Sequence, residues 1–242
     1  MSFEGRFAGK AVVVTGAAQG IGRGVALRIA AEGGRVFLVD RAEFVAEVAA
    51  EAGPEARWFC CDLETWQGAA DAVAAAVEAF GRIDILINNV GGSASGGPIE
   101  MSEDVWDSQV DINLKSVFLT CKHVLPTMKA QGSGAIVNVA STSGLRWTGS
   151  AQVAYAATKA GVIHLSRVVA VQHAPDGIRV NTVVPGQLHT PMVEARLAGQ
   201  RAGGDVEGLL AQRLKRIPLG FMGDGRDTAS AALFLASEEA RF

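Results

Sequence analysis

Short runs of apolar residues alternate with longer alanine-rich stretches along most of this chain of 242 residues. The apolar runs are nearly continuous, which is typical of strands that are buried on both faces of a sheet. The longer stretches have the length of helices. Regular alternation of strand and helix favours a parallel sheet with helices on both faces. The sequence therefore predicts an α/β fold built on a doubly wound parallel sheet.

The predicted strands and helices follow one another without a gap that would separate two domains. The strands are predicted at residues 11–15, 35–40, 57–61, 83–88, 134–141 and 178–184. The helices are predicted near residues 20–33, 43–52, 64–80, 102–109, 111–131 and 153–174. No linker, low-complexity segment or tandem repeat divides the chain, so we expect a single domain that spans residues 1–242.

Charge and cysteine content argue against several classes of protein. The formal net charge of −3 provides no basic surface for a nucleic acid. The longest basic cluster, Arg213 to Arg216, is interrupted by Leu214 and is interpreted as solvating a helix. The three cysteines fit neither a disulfide framework nor a zinc site, and no histidine has a partner at ligand spacing, so we assign no metal.

No targeting signal is visible in the sequence. The first ten residues carry charge and no apolar run, so we expect no signal peptide. No stretch of about 18 uncharged apolar residues occurs, so we expect no membrane span. These features predict a soluble cytoplasmic protein with neither a membrane nor a nucleic acid as its partner.

A glycine-rich turn directly follows the first predicted strand. Thr15 ends the strand, Gly16, Gln19, Gly20 and Ile21 belong to the turn, and a predicted helix begins at once. Glycines at such a turn let the backbone approach a pyrophosphate, which then lies at the positive end of the helix. The position of the turn between strand and helix predicts a dinucleotide site.

The second predicted strand ends at Asp40, which is followed by Arg41. A carboxylate at this point accepts hydrogen bonds from a ribose hydroxyl and repels a 2′-phosphate. Arg41 offsets part of this repulsion, whereas position 19 in the glycine turn is not basic. We therefore expect NAD in preference to NADP. The alternative is that Asp40 is a turn residue or a helix cap.

Polar or glycine-rich clusters also follow the next two predicted strands. Asp62 and Leu63 follow the third strand, and residues 88–92 close the fourth. In an open α/β sheet, ligands bind beyond the carboxyl ends of the strands. We therefore expect all of these clusters to meet at one edge of the sheet.

Tyr155 is the only tyrosine in the chain, and Lys159 follows it by four residues within a predicted helix. Residues with this spacing lie on one helical face. A nearby ammonium favours the phenolate and lowers the pKa of the phenol, which can then exchange a proton with a reacting oxygen. The alternative is a core tyrosine and a solvated lysine on an ordinary helix.

Two predicted helices, at residues 111–131 and after Val153, carry apolar residues on more than one face. A helix that is apolar nearly all round is buried nearly all round, and one sheet covers only one of its sides. We therefore expect a second subunit on the other side, in a homo-oligomer that is either a tetramer or a dimer.

Taken together, these residues resemble the short-chain dehydrogenase/reductase family. The resemblance extends from Lys10 to about Glu239 and rests on the order and spacing of the motifs. The matching residues are 15–22, Asp40, Asp62, Leu63, 88–91, Asn113, Ser141, Tyr155, Lys159, Pro185 and Gly186. The resemblance implies a Rossmann-type sheet, a nicotinamide dinucleotide and a small-molecule alcohol or ketone as substrate.

The resemblance also implies a role for individual residues. Tyr155 is the general acid/base, and Lys159 lowers the pKa of the tyrosine and binds the nicotinamide ribose. Ser141 hydrogen-bonds the substrate oxygen, and Asn113 holds a water in a proton relay that reaches Lys159. The remaining contacts are Asp62 and Leu63 at the adenine, Asn89, Val90 and Gly91 at the adenosine ribose, and Pro185, Gly186, Leu188 and Thr190 around the nicotinamide.

The position of the catalytic hydroxyl departs from the family pattern. Ser141 precedes Tyr155 by one residue more than the usual spacing, which Thr142 has instead. Ser141 stands three residues before Gly144, as in similar sequences, so we expect Ser141 to be the catalytic hydroxyl and keep Thr142 as the alternative.

Two further departures concern the cofactor motif and the end of the chain. Val90 replaces the commoner alanine, which is a mild change. The chain stops at Phe242, where relatives continue through another strand and a glycine-rich tail. We therefore expect the usual C-terminal strand to be absent.

The first half of the chain, notably residues 5–7, 19–26 and 88–92, is similar to bacterial dehydrogenases of aromatic cis-dihydrodiols. Those enzymes oxidise a ring diol to a catechol with NAD. The resemblance therefore implies hydride transfer between nicotinamide and a secondary alcohol or cis-dihydrodiol. The alternatives are a 3-oxoacyl-type reductase of the same family and an NAD-binding sensor or scaffold without catalysis.

Three loops contain the candidate substrate contacts, at residues 93–97, residues 145–152, and His189 with Met192. Trp147 is either an apolar wall for a ring or a packed surface aromatic. His189 is either a second base or a loop histidine. The glycine-interrupted segment from Leu188 to Ile217 is either a mobile cover over the site or a plain surface excursion.

Overall fold

Six strands form one parallel sheet in the order β3-β2-β1-β4-β5-β6 in the computed structural model, which describes residues 3–191 and 206–242. The strands are β1 Ala11–Thr15, β2 Arg35–Asp40, β3 Arg57–Cys60, β4 Ile85–Asn88, β5 Gly134–Val139 and β6 Ile178–Val183. The helices are α1 Gly20–Ala31, α2 Val45–Ala52, α3 Trp66–Phe80, α4 Glu103–Val110, α5 Ser116–Gln131, α6 Val153–His173, α7 Val206–Leu214 and α8 Gly225–Ala236.

The strand order reverses direction between β1 and β4. From β1 the chain builds outward through β2 and β3, and it then returns to the other side of β1 with β4. A crevice for ligands forms at such a switch point, outside the carboxyl ends of the strands. The predicted doubly wound parallel sheet is confirmed, and its switch point lies beside the glycine turn that follows β1.

Two hydrophobic layers cover the sheet, one on each face. Val12 and Val14 of β1 contribute to the layer that includes α1, α2 and α8. Val13, between them, contributes to the layer that includes α3, α5 and α6. Because successive side chains of a strand point to opposite faces, a strand covered on both sides is apolar at every position. This geometry explains the continuous apolar run of β1.

The edge strand β3 does not fit the prediction that the strands are buried on both faces. Arg57 and Cys60 are exposed, and 47% of Trp58 is accessible to solvent. β3 pairs only with β2 and lies at one end of the sheet. Position at the edge, which an apolar run alone does not reveal, accounts for the difference.

Helix α8 was not among the predicted elements. Asp224 caps it by accepting a hydrogen bond from the Arg226 N–H at 2.7 Å, and Asp227 in turn accepts from the Asp224 N–H at 2.8 Å. The helix packs closely on α1, since a β-carbon on Gly225 would lie 2.7 Å from the Gly20 carbonyl oxygen. The end of the chain therefore supports the helix that follows the glycine turn.

The long helical region predicted at residues 111–131 has two parts. A π-helical turn, Asp111–Lys115, joins α4 to α5, and it places Asn113 fully inside the protein. On the outer faces of α5 and α6, Phe118, Val168 and Val171 are 48%, 52% and 79% exposed. These helices are therefore buried on one side only within a single chain, and a covering subunit stays a prediction.

The segment predicted as a cover, residues 188–217, is described only in part. Its last third contains α7, which agrees with the helical pattern of the sequence. Residues 192–205, which include Met192, lie outside the described residues. No helix in the described part of the chain combines the length and the apolar character that a membrane crossing requires.

Candidate active site

A cleft of about 1420 Å³ opens at the carboxyl edge of the sheet, beside the switch point. Small-molecule sites usually enclose about 300–1,000 Å³, so the cleft has room for a large cofactor and a substrate. It brings together the residues that the sequence predicted for cofactor binding: Gly16, Gln19, Gly20, Ile21, Asp40, Arg41, Asp62, Leu63, Asn89, Val90, Gly91, Tyr155, Lys159, Pro185, Gly186, Leu188 and Thr190. Ser141 and Thr142 also line it.

The glycine turn is folded tightly against the end of β4. A β-carbon on Gly22 would lie 2.1 Å from the Gly16 carbonyl oxygen, a distance that no real side chain tolerates. Gly16 has a φ of +63°, which only glycine adopts without strain. The Asn89 side chain donates a hydrogen bond to the Gly16 carbonyl at 3.0 Å. Asn89 therefore holds the turn in shape, in addition to lining the cleft.

The first turn of α1 presents its backbone N–H groups to the cleft. Gln19 occupies the N-cap position, but its side chain makes no capping hydrogen bond. The first N–H groups of a helix lack partners within the helix and carry partial positive charge. A β-carbon at Gly20 would meet nothing closer than Thr190 Cβ at 3.8 Å, so the space in front of the turn is open. These features fit a pyrophosphate.

Asp40 is held by backbone N–H groups on both of its carboxylate oxygens. Oδ2 accepts from Ala18 at 3.0 Å and Oδ1 accepts from Ala42 at 3.0 Å. The second bond makes Asp40 a turn residue, as the alternative interpretation required. Each oxygen retains a further lone pair, and the residue lines the cleft, so a ribose contact is compatible with the turn.

Arg41 points to a carboxylate on the next loop. Its guanidinium lies 3.3 Å from Glu64 Oε1. This ion pair reduces the positive charge available to a phosphate near Asp40. Asp62 and Leu63 precede Glu64 on the same side of the cleft, where Leu63 is buried and Asp62 Oδ1 accepts from the Glu64 N–H at 2.9 Å.

Lys159 and Tyr155 lie together on α6, as their spacing predicted. The Lys159 ammonium is 5.8 Å from the centre of the Tyr155 ring and donates a hydrogen bond to the Val139 carbonyl at 2.9 Å. Lys159 is only 3% exposed, so the alternative of a solvated lysine is wrong. Burial lowers the pKa of Lys159 from 10.5 to about 8, because a charged group loses hydration there.

Asn113 lies behind the cleft, not on its surface. Its Nδ2 donates to the Gly92 carbonyl at 2.8 Å and its Oδ1 accepts from the Gly92 N–H at 3.1 Å. The side chain therefore fixes the loop after β4. A β-carbon on Gly91 would lie 2.8 Å from Asn113 Oδ1 and 3.1 Å from Lys159 Nζ, so the backbone of Gly91 separates these two groups.

Gln109 is a residue of the site that the sequence reasoning missed. It is buried on α4, and its Oε1 accepts a hydrogen bond from the Ala94 N–H at 3.0 Å, while its carbonyl accepts from Asn113 Nδ2 at 3.0 Å. Gln109 thus joins α4 to the loop that borders the substrate end of the cleft. Only its position four residues before Asn113 signalled this role.

Ser141 and Thr142 both reach the cleft at the end of β5. Ser141 Oγ accepts a hydrogen bond from the Ser143 N–H at 3.2 Å, and the Thr142 N–H donates to the Pro185 carbonyl at 3.1 Å. The loop packs firmly on α6, since a β-carbon on Gly144 would lie 2.6 Å from the Ala160 nitrogen. Both hydroxyls therefore remain candidates.

The loop after β6 lies beside Ser141 and Thr142, since the Thr142 N–H donates to the Pro185 carbonyl. It contributes Pro185, Gly186, Leu188 and Thr190, as predicted. It also contributes Gln187, whose Oε1 atom is buried and accepts no hydrogen bond from any described residue. A buried acceptor without a donor is costly unless a ligand supplies one. The amide N–H groups of a nicotinamide fit this requirement, so Gln187 joins the candidate cofactor contacts.

The other predicted substrate contacts separate into two groups. Trp147 lines the cleft and is 73% exposed, so it is not a packed surface aromatic. His189 is exposed and lies outside the set of residues that line the cleft, which agrees with a loop histidine.

Within residues 3–191 and 206–242, no group of three or more histidine, cysteine, aspartate or glutamate side chains could hold a metal ion.

Comparisons with known proteins agree with this geometry. The sequence profile of the family described as "short chain dehydrogenase" matches residues 10–201. The chain is 40% identical over 250 residues to the 1,6-dihydroxycyclohexa-2,4-diene-1-carboxylate dehydrogenase of Acinetobacter baylyi, covering 100% of this chain and 95% of the relative. It is 38% identical over 242 residues to the 2,5-dichloro-2,5-cyclohexadiene-1,4-diol dehydrogenase LinX of Sphingobium indicum, covering 98% and 92%.

A solved structure has the same architecture. A protein of Burkholderia xenovorans assigned to the short-chain dehydrogenases/reductases is 52% identical to the chain and superposes with a TM-score of 0.92. The match covers 98% of this chain and 93% of that one. The similarity therefore includes the sheet, the cleft and the helices around it.

Proposed function

The chain belongs to the short-chain dehydrogenase/reductase family and is an oxidoreductase, and we propose that it uses NAD to oxidise a secondary alcohol of the ring cis-dihydrodiol class. One observation supports this proposal above the others. The phenol of Tyr155 and the buried ammonium of Lys159 line the same cleft as the glycine turn. An acid/base group beside a dinucleotide site is what alcohol oxidation requires.

Each residue near the substrate has its own role in the proposed reaction. A bound nicotinamide supplies the acceptor for the hydride that leaves the carbinol carbon. Tyr155, as phenolate, takes the proton of the substrate hydroxyl, and the ammonium of Lys159 stabilises that phenolate. Ser141 donates a hydrogen bond to the same substrate oxygen and holds it in place as its charge changes. Asn113 and Gln109 fix the loop beside Lys159.

The electrostatics near Asp40 support NAD over NADP. The carboxylate of Asp40 faces the cleft near the glycine turn and repels a 2′-phosphate. The ion pair with Glu64 draws Arg41, the nearest basic residue, toward another carboxylate. NAD is therefore the cofactor that this part of the cleft favours.

The names of the relatives support a ring diol as substrate. Two proteins of similar sequence are named as dehydrogenases of cyclohexadiene diols. Trp147 supplies an apolar surface at the substrate end, which suits a flat ring. The alternative, a reductase of 3-oxoacyl substrates, requires room for a long acyl chain. A panel of dihydrodiols, hydroxyacyl esters, sugars and sterols distinguishes these substrate classes.

Replacement of Tyr155 by Phe tests the mechanism. We expect the loss of the acid/base group to lower kcat by about a hundredfold to ten-thousandfold. The affinity for NAD, measured by fluorescence titration, should stay near that of the wild type, because the ring is retained. Full turnover by this variant would refute the role of Tyr155. NAD binding without turnover of any substrate in the panel by the wild type would favour the sensor or scaffold instead.

Paired variants decide which hydroxyl holds the substrate oxygen. Ser141→Ala and Thr142→Ala each remove one candidate while leaving the other in place. We expect the larger fall in kcat for Ser141→Ala. A larger fall for Thr142→Ala would reassign the role to the residue with the usual family spacing.

We further propose that the chain forms a homo-oligomer through α5 and α6. Phe118 on α5 and Val168 and Val171 on α6 are exposed apolar side chains that no described residue of the chain covers. Both helices pack on the same face of the sheet, so a second copy of the chain can cover both at once. A cytoplasmic location remains the expectation from sequence.

A further inference from the structure

The two ends of the cleft carry opposite charge. Among the described residues that line it, the acidic ones are Asp40, Asp62 and Glu64, and all three belong to the nucleotide end. Two arginines, Arg146 and Arg216, line the opposite end, around Trp147 and the loop of residues 148–152, and Arg213 lines the cleft beside Leu188. The sequence favoured a solvated helix for the cluster Arg213 to Arg216, but the structure places both arginines at the cleft.

Arg216 is fixed across the mouth of the cleft. It follows α7, yet its Nη1 donates a hydrogen bond to the Thr148 carbonyl on the opposite loop at 3.0 Å. Its guanidinium lies directly on Gly149, where a β-carbon would come within 2.6 Å of Nη1. A guanidinium has five N–H donors, and this contact uses one of them. The others are available to a ligand at the substrate end.

Arg146 lies on the same loop as Thr148 and also lines the cleft. Within residues 3–191 and 206–242, neither Arg146 nor Arg216 has a carboxylate within ion-pair distance. Both side chains are exposed to solvent. Their charges are therefore not neutralised by the described part of the chain, in contrast to Arg41, which has Glu64 as its partner.

We propose that the substrate is an anion, a ring alcohol that bears a carboxylate, and that Arg216 binds this carboxylate with Arg146 as a second cation. The inference rests on the proposed function, which supplies the alcohol group of the substrate. The negative charge of the substrate is inferred from the two arginines. A planar guanidinium binds a carboxylate through two parallel hydrogen bonds, which orients the ring as well as holding it. The ring then packs against Trp147 while its hydroxyl faces Tyr155.

The charge of the substrate distinguishes between the two kinds of diol for which the relatives are named. One relative is named for a diol with a carboxylate on the ring, and the other for a chlorinated diol without one. An uncharged diol would leave both arginines without a carboxylate, either from the ligand or from the described part of the chain. The carboxylate diol supplies the partner, so the structure favours it over the neutral one.

A comparison of matched substrates tests this specificity. The probes are 1,6-dihydroxycyclohexa-2,4-diene-1-carboxylate and the same ring diol without the carboxylate, each oxidised with NAD. The variants are Arg216→Gln, which keeps a donor for the Thr148 carbonyl, and Arg146→Gln. Arg57→Gln is the matched control, because Arg57 is an exposed arginine on the edge strand β3 and does not line the cleft.

We expect Arg216→Gln to lower kcat/KM for the carboxylate about tenfold or more, as for the loss of a charge-assisted hydrogen bond. We expect a smaller fall for Arg146→Gln, no change for Arg57→Gln, and no change for the neutral diol in any variant. A wild type that prefers the neutral diol would overturn the proposal. So would an equal loss on both diols in Arg216→Gln, which would indicate a role for the arginine in shaping the loop.

A binding measurement separates this proposal from the proposed function. Benzoate is titrated by calorimetry into each protein saturated with NAD, so that no turnover is needed. We expect benzoate to bind the wild type and Arg57→Gln but to bind Arg216→Gln at least about tenfold more weakly. If neither diol is oxidised but benzoate binding follows this pattern, the oxidation is wrong and the anion site stands. Equal affinity for benzoate in all proteins would refute the anion site.

Discussion

At the residue scale, the burial of Lys159 makes the stability of the fold depend on pH. Its pKa is about 8 in the folded chain and 10.5 when unfolding exposes it. Between these values the unfolded chain binds more protons than the folded one, so the free energy of unfolding rises with pH across this window. Below about pH 8 both states are protonated, and the full cost of burying the ammonium is present.

Replacement of Lys159 by Met should therefore separate stability from activity. We expect a loss of turnover, together with a free energy of unfolding at pH 7 that exceeds that of the wild type. The charge costs up to about 3 kcal/mol. The Val139 carbonyl left without its donor offsets part of the gain, by about 1–3 kcal/mol. Urea denaturation at pH 7 and pH 10 measures the difference, which should fall toward zero or reverse at the higher pH.

Comparing the wild type with Lys159→Met at the same pH cancels the contributions that the other titrating groups make to the free energy of unfolding. These groups include Cys61 and Cys121, whose pKa values burial raises to about 12. A variant that is less stable than the wild type at pH 7 by the same margin as at pH 10 would contradict this account. In that case, the hydrogen bond to Val139 would outweigh the cost of the buried charge.

We expect Asp40 to favour NAD over NADP in the same site. Asp40→Asn removes the charge and keeps an oxygen that can accept from the Ala18 N–H. We expect the ratio of NADP to NAD affinity to rise about tenfold, because a repulsion of about 1–2 kcal/mol is lost. Fluorescence titration with both dinucleotides measures the ratio. An unchanged ratio, or a wild type that binds NADP as tightly as NAD, would refute the argument from charge.

Site residues that lie close together in the sequence could be predicted to meet, whereas contacts between residues distant in the sequence could not be predicted. Tyr155 and Lys159 lie on one helix, so their spacing alone placed them together. Gln187 and Gln109 became part of the site only when loops from different strands met around the cleft. The burial of Lys159 was likewise invisible, because it depends on the packing of α6 on the sheet.

At the scale of elements, a chain of buried polar side chains joins the inner strands β4 and β5 to the helices α5 and α6. Thr120 of α5 hydrogen-bonds Asn88 of β4 at 2.7 Å, and Asn88 donates to Asn138 of β5 at 2.9 Å. Asn138 then donates to Ser166 of α6 at 2.8 Å. Because α6 also carries Tyr155, this chain sets where that helix lies relative to the carboxyl ends of the strands.

Ser166→Ala should disturb the position of α6 on the sheet. It leaves Asn138 Nδ2 buried without an acceptor, at a cost of about 1–3 kcal/mol in the free energy of unfolding. We also expect a lower kcat with a smaller change in NAD affinity, since most of the predicted cofactor contacts lie on other elements. Chemical denaturation and steady-state kinetics measure both effects.

Thr158→Val provides the matched control on the same helix. Thr158 is buried, and its hydroxyl bonds to the Tyr155 carbonyl within α6 and not to the sheet. We expect the control to lose less stability than Ser166→Ala. An equal loss in both variants would mean that the contact with Asn138 contributes nothing beyond an intrahelical bond.

The pattern of apolar residues predicted most elements but not their place in the sheet. β1 and β5 are covered on both faces, so the continuous run identified them correctly. β3 has a similar pattern and lies at an edge, since strand order depends on contacts distant in sequence. The missed helix α8 carried a local signal, because the capping residues Asp224 and Asp227 precede alanines at helical spacing.

At the scale of the whole molecule, we expect the outer faces of α5 and α6 to decide whether the chain forms an oligomer. Phe118→Glu places a charge in the apolar surface that a second copy would cover. We expect the variant to be a monomer at concentrations where the wild type is an oligomer, because burying an unpaired carboxylate is costly. Light scattering coupled to size-exclusion chromatography measures the mass of each.

Phe44→Glu serves as the comparison for this surface. Phe44 is exposed to a similar extent, 44% against 48%, but lies before α2 on the opposite side of the sheet. We expect Phe44→Glu to leave the mass unchanged. A monomeric wild type, or dissociation by both variants, would refute an interface through α5 and α6.

Gly91 has no functional side chain, yet a β-carbon there would lie 2.8 Å from Asn113 Oδ1 and 3.1 Å from Lys159 Nζ, so one of these buried side chains would have to shift. Every single-base change in a glycine codon that alters the residue adds a β-carbon or ends the protein. We therefore expect position 91 to tolerate mutation as poorly as Tyr155, the proposed acid/base residue. A survey of random variants scored for growth on the substrate would show depletion there, at a position that no chemical role marks.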